Sequence, residues 1–68
     1  MSGTYKLVDI VGTSSVSFAD AVKAAVADAG KTVRHMDWFE VSDLRGRIAD
    51  GEVVEFQVTV KIGFKIER

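Results

Sequence analysis

Sixty-eight residues make one domain over positions 1–68, and chains of about this size bury only ~60% of the surface they expose when unfolded, so extra stability has to come from outside the core. The absence of cysteine excludes disulfides and cysteine-based metal sites and fits a reducing compartment. A net charge of −1 gives no electrostatic case for nucleic acid or an anionic membrane, no apolar run approaches a membrane span, and MSGTYK lacks a signal-peptide core, so the chain reads as a cytoplasmic protein stabilised by oligomerisation.

In chain order, Thr4 to Val11 (TYKLVDIV) is rich in β-formers, with Lys6 and Asp9 interrupting an apolar run, and is predicted as the first strand, half buried. Gly12-Thr13-Ser14-Ser15 is expected to break the strand, turn the chain and cap a helix. A phosphate role for this loop is the weaker reading, because the surrounding residues match neither the Walker pattern nor the dinucleotide fingerprint. The helix is predicted from Ser15 or Ser17 to Val33 or Arg34. Phe18, Ala21, Val22, Ala25, Val26, Ala29 and Val33 recur at helical spacing and form one apolar stripe. Ser17 followed by Asp20 resembles a capping box with the shorter acid, and Gly30 points to fraying or a bend near the helix end. His35 is expected at the helix C-terminus, where a partly positive imidazole is favourable.

From Met36 onward the chain reads as two long strands joined at Ala49-Asp50-Gly51-Glu52, Asp-Gly between alternating apolar residues being a strong hairpin signal. With Asp50 and Gly51 in the turn, Ala49 opposes Glu52, and one uninterrupted register puts even positions of the first strand on a face with odd positions of the second. Phe39, Val41, Val54, Phe56, Val58, Val60, Ile62, Phe64 and Ile66 then form the core face. Trp38, Glu40, Ser42 and Leu44 share the other face with Val53, Glu55, Gln57, Thr59, Lys61 and Gly63. At roughly 3.3 Å per residue, positions 52 to 66 would span about 50 Å. A compact chain of this size has a radius of gyration near ~11 Å, so the strand must bend around the helix, protrude into a partner, or both. The expected fold is α+β with β-α-β-β order, a three-stranded antiparallel sheet wrapped around one helix and an obligate oligomer.

The mixed face carries the only tryptophan. Trp38 has a large plane and one N–H donor, so it either packs against a subunit or helix or binds a flat ligand, and Gln57 on the same face offers an amide donor and acceptor. Catalytic constellations are poor. One histidine permits neither a two-histidine metal site nor a triad within the chain. Glu40 and Glu55 share a face, but solvated strands often carry acids. Arg45 and Arg47 flank Gly46 and are placed either to meet an anion or simply in a solvated turn. The residues read as those of a binding protein, not an enzyme.

The segments IVGTSS, DWFEV and EFQVTVKIGFKIE together resemble the dodecin family of small flavoproteins, bacterial type, over Tyr5 to Glu67. The resemblance implies a hollow, roughly spherical homododecamer whose protomers meet on trimeric and dimeric axes. It implies flavins stored as stacked pairs at the two-fold axes between symmetry-related tryptophans, with photochemistry quenched by electron transfer from indole. The family's stacking tryptophan falls on Trp38 and the glutamine that hydrogen-bonds the isoalloxazine on Gln57. Archaeal members carry a glutamate that aligns with Arg47. Here Arg45 and Arg47 are expected to make the rim basic and to favour FMN over riboflavin, with FAD as a further flavin. Some bacterial members also bind coenzyme A around the three-fold axis, and the alternative reading is a structural or coenzyme A-binding oligomer without a flavin role.

Overall fold

A computed structural model describes residues 3–66, so the first two residues and Glu67 and Arg68, including the last residue of the resemblance, lie outside the described residues. The elements are β1 (Tyr5–Ser14), α1 (Phe18–Ala29), β2 (Met36–Ala49) and β3 (Glu52–Lys65). Both pairings are antiparallel, as expected, and the spatial order is β1-β3-β2. No helix among the described residues is long and apolar enough to cross a membrane.

β1 runs past the predicted break. Gly12, Thr13 and Ser14 stay in the ladder opposite Val58, Gln57 and Phe56. The glycine serves close approach instead of turning: a Cβ at Gly12 would collide with the carbonyl oxygen of Ala21 and lie 2.7 Å from Ala25 Cβ. The turn follows at Ser14, whose Oγ accepts from the Val16 amide at 2.9 Å and the Ser17 amide at 3.4 Å. Ser17, extended at φ −165°, is the helix cap, its Oγ accepting from the Asp20 amide at 3.0 Å.

α1 stops at Ala29, short of Val33 and Arg34. Gly30 caps it, and the amides of Lys31, Thr32 and Val33 fold back onto the carbonyls of Asp28 and Ala29 in a tapering last turn. β2 enters across this end: a Cβ at Gly30 would stand 3.2 Å from the Met36 methyl. His35 therefore sits in the connection, not at the helix terminus, in the left-handed region at φ 61°, and its carbonyl accepts from the Lys65 amide at 3.1 Å.

Ala21, Ala25 and Ala29 pack on Val58, Val60 and Ile62 and are the buried core, bordered by Val8, Ile10, Val22, Val26 and Met36. The small residues let the helix lie close to the sheet, as their spacing predicts, and Phe18 meets Phe56 edge-on with ring centroids 5.0 Å apart. The core reaches only part of the hairpin. β1 ends opposite Phe56, and beyond it β2 and β3 stand as an arm with Ile48, Val53 and Val54 exposed. The radius of gyration is 14.1 Å and the extents are 53 × 20 × 13 Å, so the long strand protrudes.

Candidate functional site

The turn forms where expected. Asp50 and Gly51 both take positive φ, 52° and 78°, and Ala49 faces Glu52. The register is not uniform, however. It shifts between Arg47 and Ile48, between Val41 and Asp43, and between Met36 and Trp38. Each shift is a bulge, one unpaired residue that turns the chain beyond it onto the other face. The bulge at Val54 and the bulge at Ser42, whose hydroxyl donates to the Thr59 carbonyl at 3.3 Å, bracket a stretch of β2 that lies on the opposite faces from those predicted. Leu44 opposes Val58 and leaves the Trp38 face, whereas Asp43, Arg45 and Arg47 join it opposite Thr59, Gln57 and Glu55.

The outer face is thus a set of rows across three strands: Leu7, Gly63, Trp38; Asp9, Lys61, Glu40; Val11, Thr59, Asp43; Thr13, Gln57, Arg45. α1 packs on the opposite face. In the first row the Trp38 indole crosses the central strand. A Cβ at Gly63 would collide with Cε2, Cζ2 and Cη2 of Trp38, so the six-membered ring lies directly on glycine backbone. The Tyr5 ring flanks it, with centroids 5.1 Å apart and planes at 58°. Trp38 remains 41% exposed, which leaves a large apolar surface facing outward.

Gly63→Ala is accordingly expected to lift the indole off β3 while leaving the core face unchanged. The check is the emission maximum and collisional quenching of the single tryptophan. An indole indistinguishable from the parent's would mean that Gly63 does not seat it.

At the other end of the face, Gln57 is held from both sides. Its Oε1 accepts from Arg45 Nε at 3.0 Å and its Nε2 donates to Glu55 Oε1 at 2.8 Å. Arg45 also approaches Asp43 and Arg47 approaches Glu55, each at 3.8 Å. Each arginine thus has a carboxylate beside it in the rim that Arg45 and Arg47 are expected to make basic. Glu40 and Glu55 do not form an acid pair. Glu40 faces Lys61 and Glu55 faces Arg47, and the intervening stretch of β3 is about 20 Å at roughly 3.3 Å per residue. Among the described residues no group of three or more metal-ligating side chains forms.

The same spacing separates Trp38, seated on Gly63, from Gln57. They share a face but stand at opposite ends of it. Tyr5, Gly63 and Asp43 were missed as site residues, and Glu55 was weighed only as one half of an acid pair with Glu40. Only Gly63 left a signal, a glycine inside a strand pattern marking close approach.

The family model for dodecin matches residues 4–67. The chain belongs to the dodecin family. A dodecin from Thermus thermophilus is 48% identical over 67 residues, covering 98% of this chain and 97% of that protein. A crystal structure of a Thermus thermophilus protein superposes with a TM-score of 0.93 at 46% identity, covering 98% of each chain. The dodecin of Streptomyces coelicolor gives 0.93 at 45% identity, over 97% of this chain and 94% of that one. The β-α-β-β order and the wrapped sheet are those of dodecin structures.

Proposed function

We propose that this chain is the protomer of a hollow homododecamer that stores FMN as stacked pairs between symmetry-related Trp38 residues. The observation that carries the reading is the seating of Trp38: one side of the indole rests on Gly63 and the other stays open on a sheet face that α1 does not cover. A dodecin two-fold axis would bring a second copy of that face opposite the first.

The spacing of the face supports a composite site. About 20 Å of strand between the Trp38 row and the Gln57 row exceeds a tricyclic ring. The indole and the amide that meet one flavin therefore come from different protomers. Trp38 contributes stacking, on the order of 1–3 kcal/mol per aromatic contact. Gln57 contributes direction. With Oε1 accepting from Arg45 and Nε2 donating to Glu55, one lone pair and one N–H remain, and that pair matches an edge where a carbonyl adjoins an N–H. Arg45 and Arg47 lie at the rim, and exposed ion pairs are weak enough for a ligand phosphate to displace the carboxylates beside them. The bound flavin supplies a light-excited, electron-accepting ring, and Trp38 in stacking contact supplies and recovers the electron that quenches it.

The test is a titration of FMN and riboflavin with deflavinated protein at low and high salt, read beside particle size. Flavin emission should fall and saturate near one FMN per chain on a twelve-chain particle. FMN should bind roughly fivefold tighter than riboflavin at low salt, a gap of the size exposed charge pairs produce, and the gap should close as salt screens it. Undiminished emission on that particle overturns the flavin role. Equal affinities at low salt overturn the role given to Arg45 and Arg47.

A further inference from the structure

The Trp38 indole is not fixed by its own rotamer, because the torsion that tilts an aromatic ring about its Cβ–Cγ bond has a broad, soft profile. Gly63 supplies a floor for the ring but no wall. The wall comes from β1, the strand that does not carry Trp38 and that pairs only with β3. Tyr5 lies at the first position of β1, opposite Lys65, and the neighbouring bond from the Ile66 amide to the Thr4 carbonyl at 3.0 Å ties down the strand end that holds it. Tyr5 is 43% exposed and belongs to the outer face, so core packing does not account for a ring at this position. Its ring contact is with Trp38. Among the described residues its hydroxyl has no hydrogen-bond partner, so the ring makes the contact.

We propose that Tyr5 is the positioning residue of the stacking platform: its ring stops the indole from swinging toward β1 and holds it over Gly63 with the outer face open, an inference that rests on the flavin reading for its purpose. All three strands then build the platform, Trp38 from β2, the floor from β3 and the stop from β1. An inclined ring at 58° suits a stop, since it abuts the indole without covering its stacking surface.

The experiment compares the parent with Tyr5→Phe, Tyr5→Leu and Val11→Ala. Val11 is a similarly exposed outer-face residue farther along β1 and serves as control for damage to the strand. The first readout needs no ligand: the near-ultraviolet circular dichroism of the long-wavelength indole bands, which requires a fixed asymmetric setting and to which tyrosine does not contribute. Tyr5→Leu should lose most of this signal with far-ultraviolet dichroism and particle size unchanged, while Tyr5→Phe and Val11→Ala retain it. FMN should then bind Tyr5→Leu roughly tenfold more weakly, about 1.4 kcal/mol, and Tyr5→Phe as the parent does. Retained indole bands in Tyr5→Leu overturn the proposal. So does a Tyr5→Phe protein as disordered as Tyr5→Leu, because the hydroxyl would then be the active part. A parent that ignores FMN yet shows the Tyr5-dependent bands overturns the flavin reading and leaves the positioning role standing.

Discussion

Trp38→Ala is expected to weaken FMN binding by about 5- to 150-fold, the loss of roughly 1–3 kcal/mol of stacking, and to leave whatever flavin still binds fluorescent. Binding and quenching should fall together, because in the proposed site one side chain provides both the plane and the electron. The fold should survive, since Trp38 is 41% exposed and lies outside the buried cluster of α1 and β3. Particle size separates this result from the competing role. If Trp38 is interface packing alone, the variant should come apart into smaller species and the parent should not bind flavin. Affinity and quenching unchanged in an intact particle would sink the assignment. Trp38→Phe sharpens the test, because phenylalanine keeps a stacking plane but is a far poorer electron donor; it should bind more weakly than the parent, with emission restored in the complex.

Gly12→Ala should produce the largest loss of stability from the smallest chemical change. The added methyl meets the Ala21 carbonyl oxygen and the Ala25 side chain, and backbone cannot rotate aside as a flexible side chain would. α1 must lift from β1, which opens the contact of Ala21, Ala25 and Ala29 with Val58, Val60 and Ile62. Overpacking of this kind costs about 1–3 kcal/mol, and for a chain of this length each kcal/mol lowers the melting temperature by roughly 4–8 °C. Parent and variant have to be melted at equal protein concentration, because an oligomer's melting temperature depends on it. An unchanged melting temperature would mean that the helix does not press on Gly12.

Some of this was legible without coordinates. Asp50-Gly51 reads as a two-residue turn on chemistry alone, because positive φ at both positions suits these residues. The alanines and valines of α1 mark a helix face that can lie close to a sheet, and alternation from Val54 to Phe64 marks the sheet face that receives it. The length of that alternation exceeds the diameter of a compact chain of this size, so a strand that bends, protrudes or does both was already implied, and the structure decides for protrusion. Motif resemblance pointed to Trp38 and Gln57, and pairing along β3 puts both on the face away from α1.

Only the tertiary structure decided the rest. A bulge adds one residue to a strand that is exposed on both faces, where the apolar pattern has too little contrast to reveal a change of parity. Leu44 and Arg45 could therefore not be assigned to faces from the pattern: Arg45 meets Gln57 because Val54 drops out of register near the turn, and Ser42 dropping out in turn restores the register toward Trp38. The two glycines that matter most, Gly12 and Gly63, looked like a loop and a gap in a strand. Their roles depend on what stands over them, Ala21 in one case and Trp38 in the other, and those neighbours come from distant parts of the chain. Tyr5 and Trp38 likewise meet only across β3. Local spacing determined the elements, because hydrogen bonding and side-chain periodicity act over a few residues. Three-dimensional packing alone decided which surfaces touch, and so how the indole is held.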